Sequence, residues 1–78
     1  MSPDIQGQGV IVRSVEDIGA RVAQMRKARG YSQQSFADLA GVGRRFVSEL
    51  ESGKPTAEIG KILQVLTALG LDLELKVR

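Results

Sequence analysis

Apolar residues recur at helical spacing through most of the chain, and glycines end the successive stretches. A first amphipathic stretch runs from Ser14 to Gly30, and its apolar positions three and four residues apart predict a helix with one buried face. Ser14 is its predicted N-cap, since a serine hydroxyl accepts hydrogen bonds from the first amides of a helix. The predicted buried positions are Val15, Ile18, Val22 and Met25.

The segment from Ser32 to Gly53 predicts two short helices joined by a tight glycine turn. Ser32 caps the first, Gly41 ends it in the left-handed conformation that glycine adopts at low cost, and Val42 fills the angle between the helices. The second helix exposes its first two turns, which suits the major groove of DNA. It is predicted to bury Val47 and Leu50 and to expose Arg44, Arg45, Ser48 and Glu49.

A fourth helix is predicted after a loop at residues 53–56, with Thr56 as its cap and Gly70 as its end. Its apolar positions again fall at helical spacing, so one face should be buried. That face is predicted to consist of Ile59, Ile62, Leu63, Leu66 and Leu69.

The last eight residues, 71–78, alternate apolar and charged side chains, which predicts a half-buried strand. A strand needs a neighbour, either Val10–Val12 of the same chain or the same strand of a second copy. We expect an antiparallel pair across a homodimer with Leu75 on the axis, because that register places opposite charges face to face. The opposed charges are Asp72 with Arg78 and Glu74 with Lys76, and the dimerisation face is Leu71, Leu73, Leu75 and Val77.

The composition indicates one small aliphatic domain without catalytic or metal chemistry. The chain has 78 residues, 42% of them hydrophobic, and neither cysteine nor histidine, which removes thiol nucleophiles, the usual zinc ligands and the commonest general base. The net charge of +2 is a weak indication of a polyanionic partner. We expect no cofactor, and a cytoplasmic location, since neither an apolar run of about 18 residues nor a secretory signal is evident. The expected organisation is a mobile tail at residues 1–13, a DNA-binding domain at 14–70 and a dimerisation strand at 71–78.

The stretch SQQSFADLAGVGRRFVSELESG resembles the helix-turn-helix of the phage-repressor and Xre group of regulators. The resemblance extends from Val15 to Leu71 and rests on Ala37 at the helix crossing, Gly41 and Val42 in the turn, and Gly53 after the second helix. It implies an all-α, lambda-repressor-like domain of four to five helices. It assigns base reading to Arg44, Arg45 and Ser48, and phosphate contacts to Gln33, Gly43 and Lys54.

Two residues depart from the family pattern. Gly43 replaces the usual polar cap of the recognition helix, and Phe46 stands where a small residue is common. Phe46 either touches a thymine methyl group or packs against the first helix of the motif.

The carboxyl half, in which a helix leads through Ala68, Leu69 and Gly70 into an alternating strand, is similar to antitoxins of the HipB-like group. That resemblance implies a homodimer on a palindromic operator, autoregulation of its own operon and a HipA-like kinase toxin as partner. The main alternative is a stand-alone Xre-type or phage repressor. A third possibility is a protein-interaction module that has lost DNA binding, and an enzyme is not expected.

Overall fold

The computed structural model describes residues 9–78, which form four helices and, over that range, no strand. The prediction of a helical domain is confirmed, with four helices rather than five. Of the mobile tail predicted for residues 1–13, residues 1–8 lie outside the described part of the chain. The helices are α1 (Val15–Ala28), α2 (Gln33–Ala40), α3 (Arg44–Glu51) and α4 (Ile59–Ala68).

Serine caps begin the first two helices, as predicted. The Ser14 hydroxyl accepts a hydrogen bond from the amide of Asp17 at 3.1 Å. At α2, the Ser32 hydroxyl accepts from the Ser35 amide, and the Ser35 hydroxyl accepts from the Ser32 amide, both at 3.0 Å. This reciprocal pair satisfies two amides that the helix itself leaves without partners.

The turn between α2 and α3 also follows the prediction. Gly41 has φ +77°, the left-handed region that costs a side-chain-bearing residue energy, and its amide donates to the carbonyl of Ala37 at 2.9 Å. Val42 is half-buried and packs against the core. The two helices of the motif are therefore joined without a flexible linker.

The core lies where the four helices meet. α1 and α2 both pack against α3, and α2 also packs against α4. Val15, Ile18 and Met25 of the predicted α1 face are half-buried at its margin. The buried apolar residues of the core are Val22, Phe36, Ala37, Ala40, Val47, Leu50, Ile62, Val65, Leu66 and Leu69.

The predictions for the start and the buried face of α4 are wrong in two respects. Thr56 lies in the preceding turn, Glu58 occupies the N-cap position without a side-chain cap bond, and α4 begins at Ile59. Ile59 and Leu63 are exposed, and Val65 is fully buried instead. Three residues of the predicted face, Ile62, Leu66 and Leu69, are buried as expected. The core lies on the side of these three residues that carries Val65, and Ile59 and Leu63 lie on the other side.

The carboxyl-terminal residues 71–78 have no regular secondary structure in the single chain. The Leu71 amide donates to the carbonyl of Leu66 at 2.9 Å, and the Leu71 side chain packs against the core. Beyond it the apolar side chains face solvent, with Leu75 91% exposed. The segment borders an open cleft whose other side is Val10–Val12, but the two segments form no ladder, so pairing within one chain is not found among the described residues.

α1 and α3 touch backbone to backbone at Gly19. A Cβ atom at that position would overlap the carbonyl oxygen of Leu50 in α3. Gly60 of α4, by contrast, has open space around it. Sequence reasoning gave Gly19 no role, although a glycine inside an apolar helical repeat is a signal of close packing. Across residues 9–78, no helix has both the length and the apolar character needed to cross a bilayer.

Candidate nucleic-acid interface

The α3 helix has one buried side and one side that faces solvent. Val47 and Leu50 are fully buried, and the opposite side carries Arg45, Ser48 and Glu49, about half a turn of the helix away. The structure places Arg44 and Arg45 together on the first turn, both exposed, with the Arg45 side chain 90% accessible. Ser48 is half-buried on the same side. The three predicted base-reading residues thus share one accessible surface.

Lys54 lies beside this surface because the loop after α3 turns back on the helix. Its amide donates to the carbonyl of Glu49 at 3.1 Å, and its ammonium group lies 3.2 Å from the Glu49 carboxylate. Arg45 donates to the other oxygen of that carboxylate at 3.3 Å. The bonds from Lys54, and then from Arg45, outweigh desolvation and lower the pKa of Glu49.

The other two predicted phosphate contacts lie at helix starts. Gly43 is the exposed N-cap of α3, and no side chain caps the helix there. Gln33, the first residue of α2, is half-buried, and its amide nitrogen donates to the Glu51 carboxylate at 3.1 Å. Gln33 is therefore held within the protein through one N–H of its side-chain amide, and the second N–H of that amide remains as a donor for a phosphate.

Phe46 is half-buried and packs against the core. The ammonium group of Lys61 in α4 lies 5.8 Å from the centre of its ring. This position favours the packing role over contact with a thymine methyl group.

A buried ion pair joins α1 to the end of α3. Arg26 donates to both oxygens of Glu51, at 2.7 and 2.9 Å, and also to the carbonyl of Tyr31 at 2.7 Å. Their side chains are only 9% and 8% exposed. Burial acts to raise the pKa of Glu51, but the hydrogen bonds from Arg26 and Gln33 outweigh it and the pKa is lowered. The same bond to Glu51 raises the pKa of Arg26.

Sequence reasoning missed this pair. Arg26 follows Val22 by four residues and so falls on the buried face of α1. An arginine on an apolar stripe is the signal that could have found it, since a buried arginine requires an acidic partner.

The helix, glycine turn and second helix with two exposed arginines define a helix-turn-helix protein. Residues 22–76 match the helix-turn-helix family HTH_3, and the chain belongs to that family.

Two relatives are transcriptional regulators by name. The uncharacterized HTH-type transcriptional regulator y4mF of Sinorhizobium fredii (strain NBRC 101917 / NGR234) is 48% identical over 64 residues, 82% of this chain and 84% of that protein. The SPbeta prophage-derived uncharacterized HTH-type transcriptional regulator YonR of Bacillus subtilis (strain 168) is 30% identical over 56 residues, 72% of this chain and 52% of that protein. This chain is accordingly a helix-turn-helix transcriptional regulator and not an enzyme.

Solved structures show the same fold. HipB in its complex with HipA and O2-O3 superposes with a TM-score of 0.79 at 17% identity, covering 88% of this chain and 97% of that chain. The HipB complex with an O4 20mer gives the same values. The restriction-modification controller protein C.AhdI from Aeromonas hydrophila gives a TM-score of 0.65 at 33% identity, covering 74% of this chain and 88% of that chain.

Removing one partner of the buried pair is predicted to cost stability, and that cost depends on pH. In Glu51→Gln the Arg26 guanidinium stays buried without its counter-charge, and we expect the free energy of unfolding at neutral pH to fall by roughly 3–5 kcal/mol. The folded-state pKa of Glu51 lies below its ordinary value of 4.5, so the unfolded chain takes up the proton first. The stabilisation is complete above that value and is lost as the pH falls through the folded-state pKa. Urea unfolding followed by circular dichroism over a pH series measures both effects.

Glu49→Gln is the matched control. It makes the same change two residues away, at a carboxylate whose partners are exposed, and a much smaller loss of stability is expected. Equal losses of stability in the two variants would contradict the prediction, because burial of the Arg26–Glu51 pair would then not increase the cost of removing the carboxylate charge.

Proposed function

We propose that this chain is a homodimeric, sequence-specific repressor that binds a palindromic operator and serves as the antitoxin of a HipBA-like toxin-antitoxin system. One observation carries the DNA-binding role: Arg44 and Arg45 stand exposed on the first turn of α3 in a helix-turn-helix fold. Repression follows where the operator overlaps the promoter. Both curated relatives are bacterial proteins, and in a bacterium such a regulator acts in the cytoplasm.

The residues around α3 divide into two proposed roles. Arg44, Arg45 and Ser48 read bases, since arginine can donate two hydrogen bonds to guanine. Gln33, Gly43 and Lys54 contact phosphates and fix the position of the helix in the groove. Two recognition helices in successive major grooves require half-sites about ten base pairs apart.

Replacing the arginines tests the base-reading role. Arg44→Ala and Arg45→Ala should each weaken binding to DNA selected by the unmodified protein by about 1–3 kcal/mol and relax the sequence preference at one position of each half-site. Lys54→Ala should weaken binding without relaxing the preference at any single base position, and should reduce the salt dependence by about one phosphate contact. Fluorescence anisotropy titrations at several salt concentrations measure these effects. Arg21→Ala, a loss of the same charge from α1, is the control, and arginine variants that bind like this control would contradict the assignment.

The segment at residues 71–78 is the proposed dimerisation strand, and residues 14–70 form the DNA-binding domain. Nζ of Lys76 lies 3.8 Å from Oε1 of Glu74. These side chains are two residues apart, and in an extended chain such side chains lie on the same face. All eight residues of the segment border the cleft beside Ile18 and Leu66, and the apolar side chains beyond Leu71 are exposed. Antiparallel pairing with the same segment of a second copy covers this apolar surface, with Leu75 on the axis.

Leu75→Glu tests the strand pair without disturbing the fold of the single chain, because Leu75 is 91% exposed there. In the dimer it places two like charges together at the axis and removes apolar contact, and we expect dimerisation to weaken at least about tenfold. Sedimentation equilibrium measures the effect. Ile59→Glu, at an exposed isoleucine of α4, is the control, and a Leu75→Glu variant that dimerises as tightly as this control would refute the strand pair.

Different observations support the antitoxin and the stand-alone repressor. The superposition on HipB extends over 97% of that chain, which supports the antitoxin role, and the complex of HipA, HipB and O2-O3 is the precedent for a HipA-like partner on a chain of this fold. C.AhdI, a controller protein of a restriction-modification system, has the higher identity of 33% and supports a repressor without a toxin.

Coexpression with the product of the adjacent gene separates the two roles. If this chain is an antitoxin, a HipA-like kinase encoded beside it should be retained on the tagged chain, and its toxicity to the host should fall. If the adjacent gene encodes no such protein, or if the kinase does not bind, the stand-alone repressor is the correct function.

A further inference from the structure

A single carboxylate on the solvent side of α3 holds two of the cations proposed to contact DNA. One oxygen of Glu49 lies 3.3 Å from Nε of Arg45, and the other lies 3.2 Å from Nζ of Lys54. The backbone adds a third link, from the Lys54 amide to the Glu49 carbonyl at 3.1 Å. The two cations thus lie on either side of Glu49 in the free protein.

This arrangement opposes binding to arbitrary DNA. The Glu49 side chain is 33% exposed on the surface that faces the groove, so its charge approaches the phosphates together with the cations. Its lowered pKa, caused by Lys54 first and then by Arg45, keeps it ionised at neutral pH. A carboxylate accepts hydrogen bonds from cytosine N4 in the major groove, but it finds only acceptors along the backbone.

We propose that Glu49 determines specificity on the DNA-binding face: it restrains Arg45 and Lys54 on arbitrary sequences and releases them where a base presents an amino group to its carboxylate. This inference rests on the proposed DNA-binding function. It assigns the acidic residue a role in rejecting the wrong sequence, whereas the arginines supply attraction to the correct one.

Glu49→Gln tests the proposal because it removes the charge and keeps the shape. The probe is a labelled pool of random-sequence duplexes of about 20 base pairs, long enough for two half-sites. We expect the variant to bind this pool about fivefold to tenfold more tightly at low salt, and the salt dependence to steepen by about one to two phosphate contacts as the cations are released. Sequences selected from the pool by the variant should lose their preference at one position of each half-site.

Glu58→Gln is the control, since it removes the same charge from an exposed carboxylate at the start of α4 that pairs with Lys61. Equal gains in the two variants would overturn the proposal, because Glu49 would then act only through net charge. Weaker binding by Glu49→Gln to both random and selected DNA would also overturn it, since Glu49 would then be orienting the cations for binding. Failure of the unmodified, folded protein to bind any duplex at low salt is a separate result, which rejects the proposed function itself.

Discussion

The orientation of the recognition helix depends on the buried contact between Arg26 and Glu51. It joins the last turn of α1 to the end of α3, and Gln33 at the start of α2 adds a hydrogen bond to the same carboxylate. Three helices therefore meet at one charged group that is largely shielded from water. A buried pair of this kind adds little net stability over an apolar contact, but an arrangement that separates the charges is heavily penalised. The pair thus disfavours other packings of the three helices more than it stabilises this one.

The four helices, the starts of α1 and α2 and the end of α2 could be predicted from the sequence because local chemistry determines them, whereas the start of α4, which has no side-chain cap, could not. Serine at the start of α1 and α2, and glycine after α2, each act within one turn of the chain. The buried face of α4 could not be fixed in the same way. Ile59 and Leu63 extend its apolar stripe on one side and Val65 extends it on the other, and only the position of the neighbouring helices decides between them. The conformation of residues 71–78 depends in turn on what lies beside them, which the alternation of side chains does not specify.

The candidate site likewise contains features that local spacing determines and features that depend on the packing of other elements. The exposure of Arg44, Arg45 and Ser48 follows from helical spacing against Val47 and Leu50, so the sequence was sufficient to place them on one surface. Their electrostatic surroundings were not predictable. Gly53, with φ +83°, turns the chain so that Lys54 returns to Glu49, and that ion pair depends on loop geometry that spacing alone does not give. The engagement of Gln33 with Glu51 likewise depends on how α2 crosses α3.

The contact at Gly19 has a mechanical consequence. With no side chain between them, the backbone of α1 lies directly against the carbonyl of Leu50, and a residue with a Cβ at position 19 would have to displace α3. The placement of α3 relative to α1 is therefore sensitive to the size of the residue at that one position. A substitution there would shift the exposed surface of α3 without changing any residue on it.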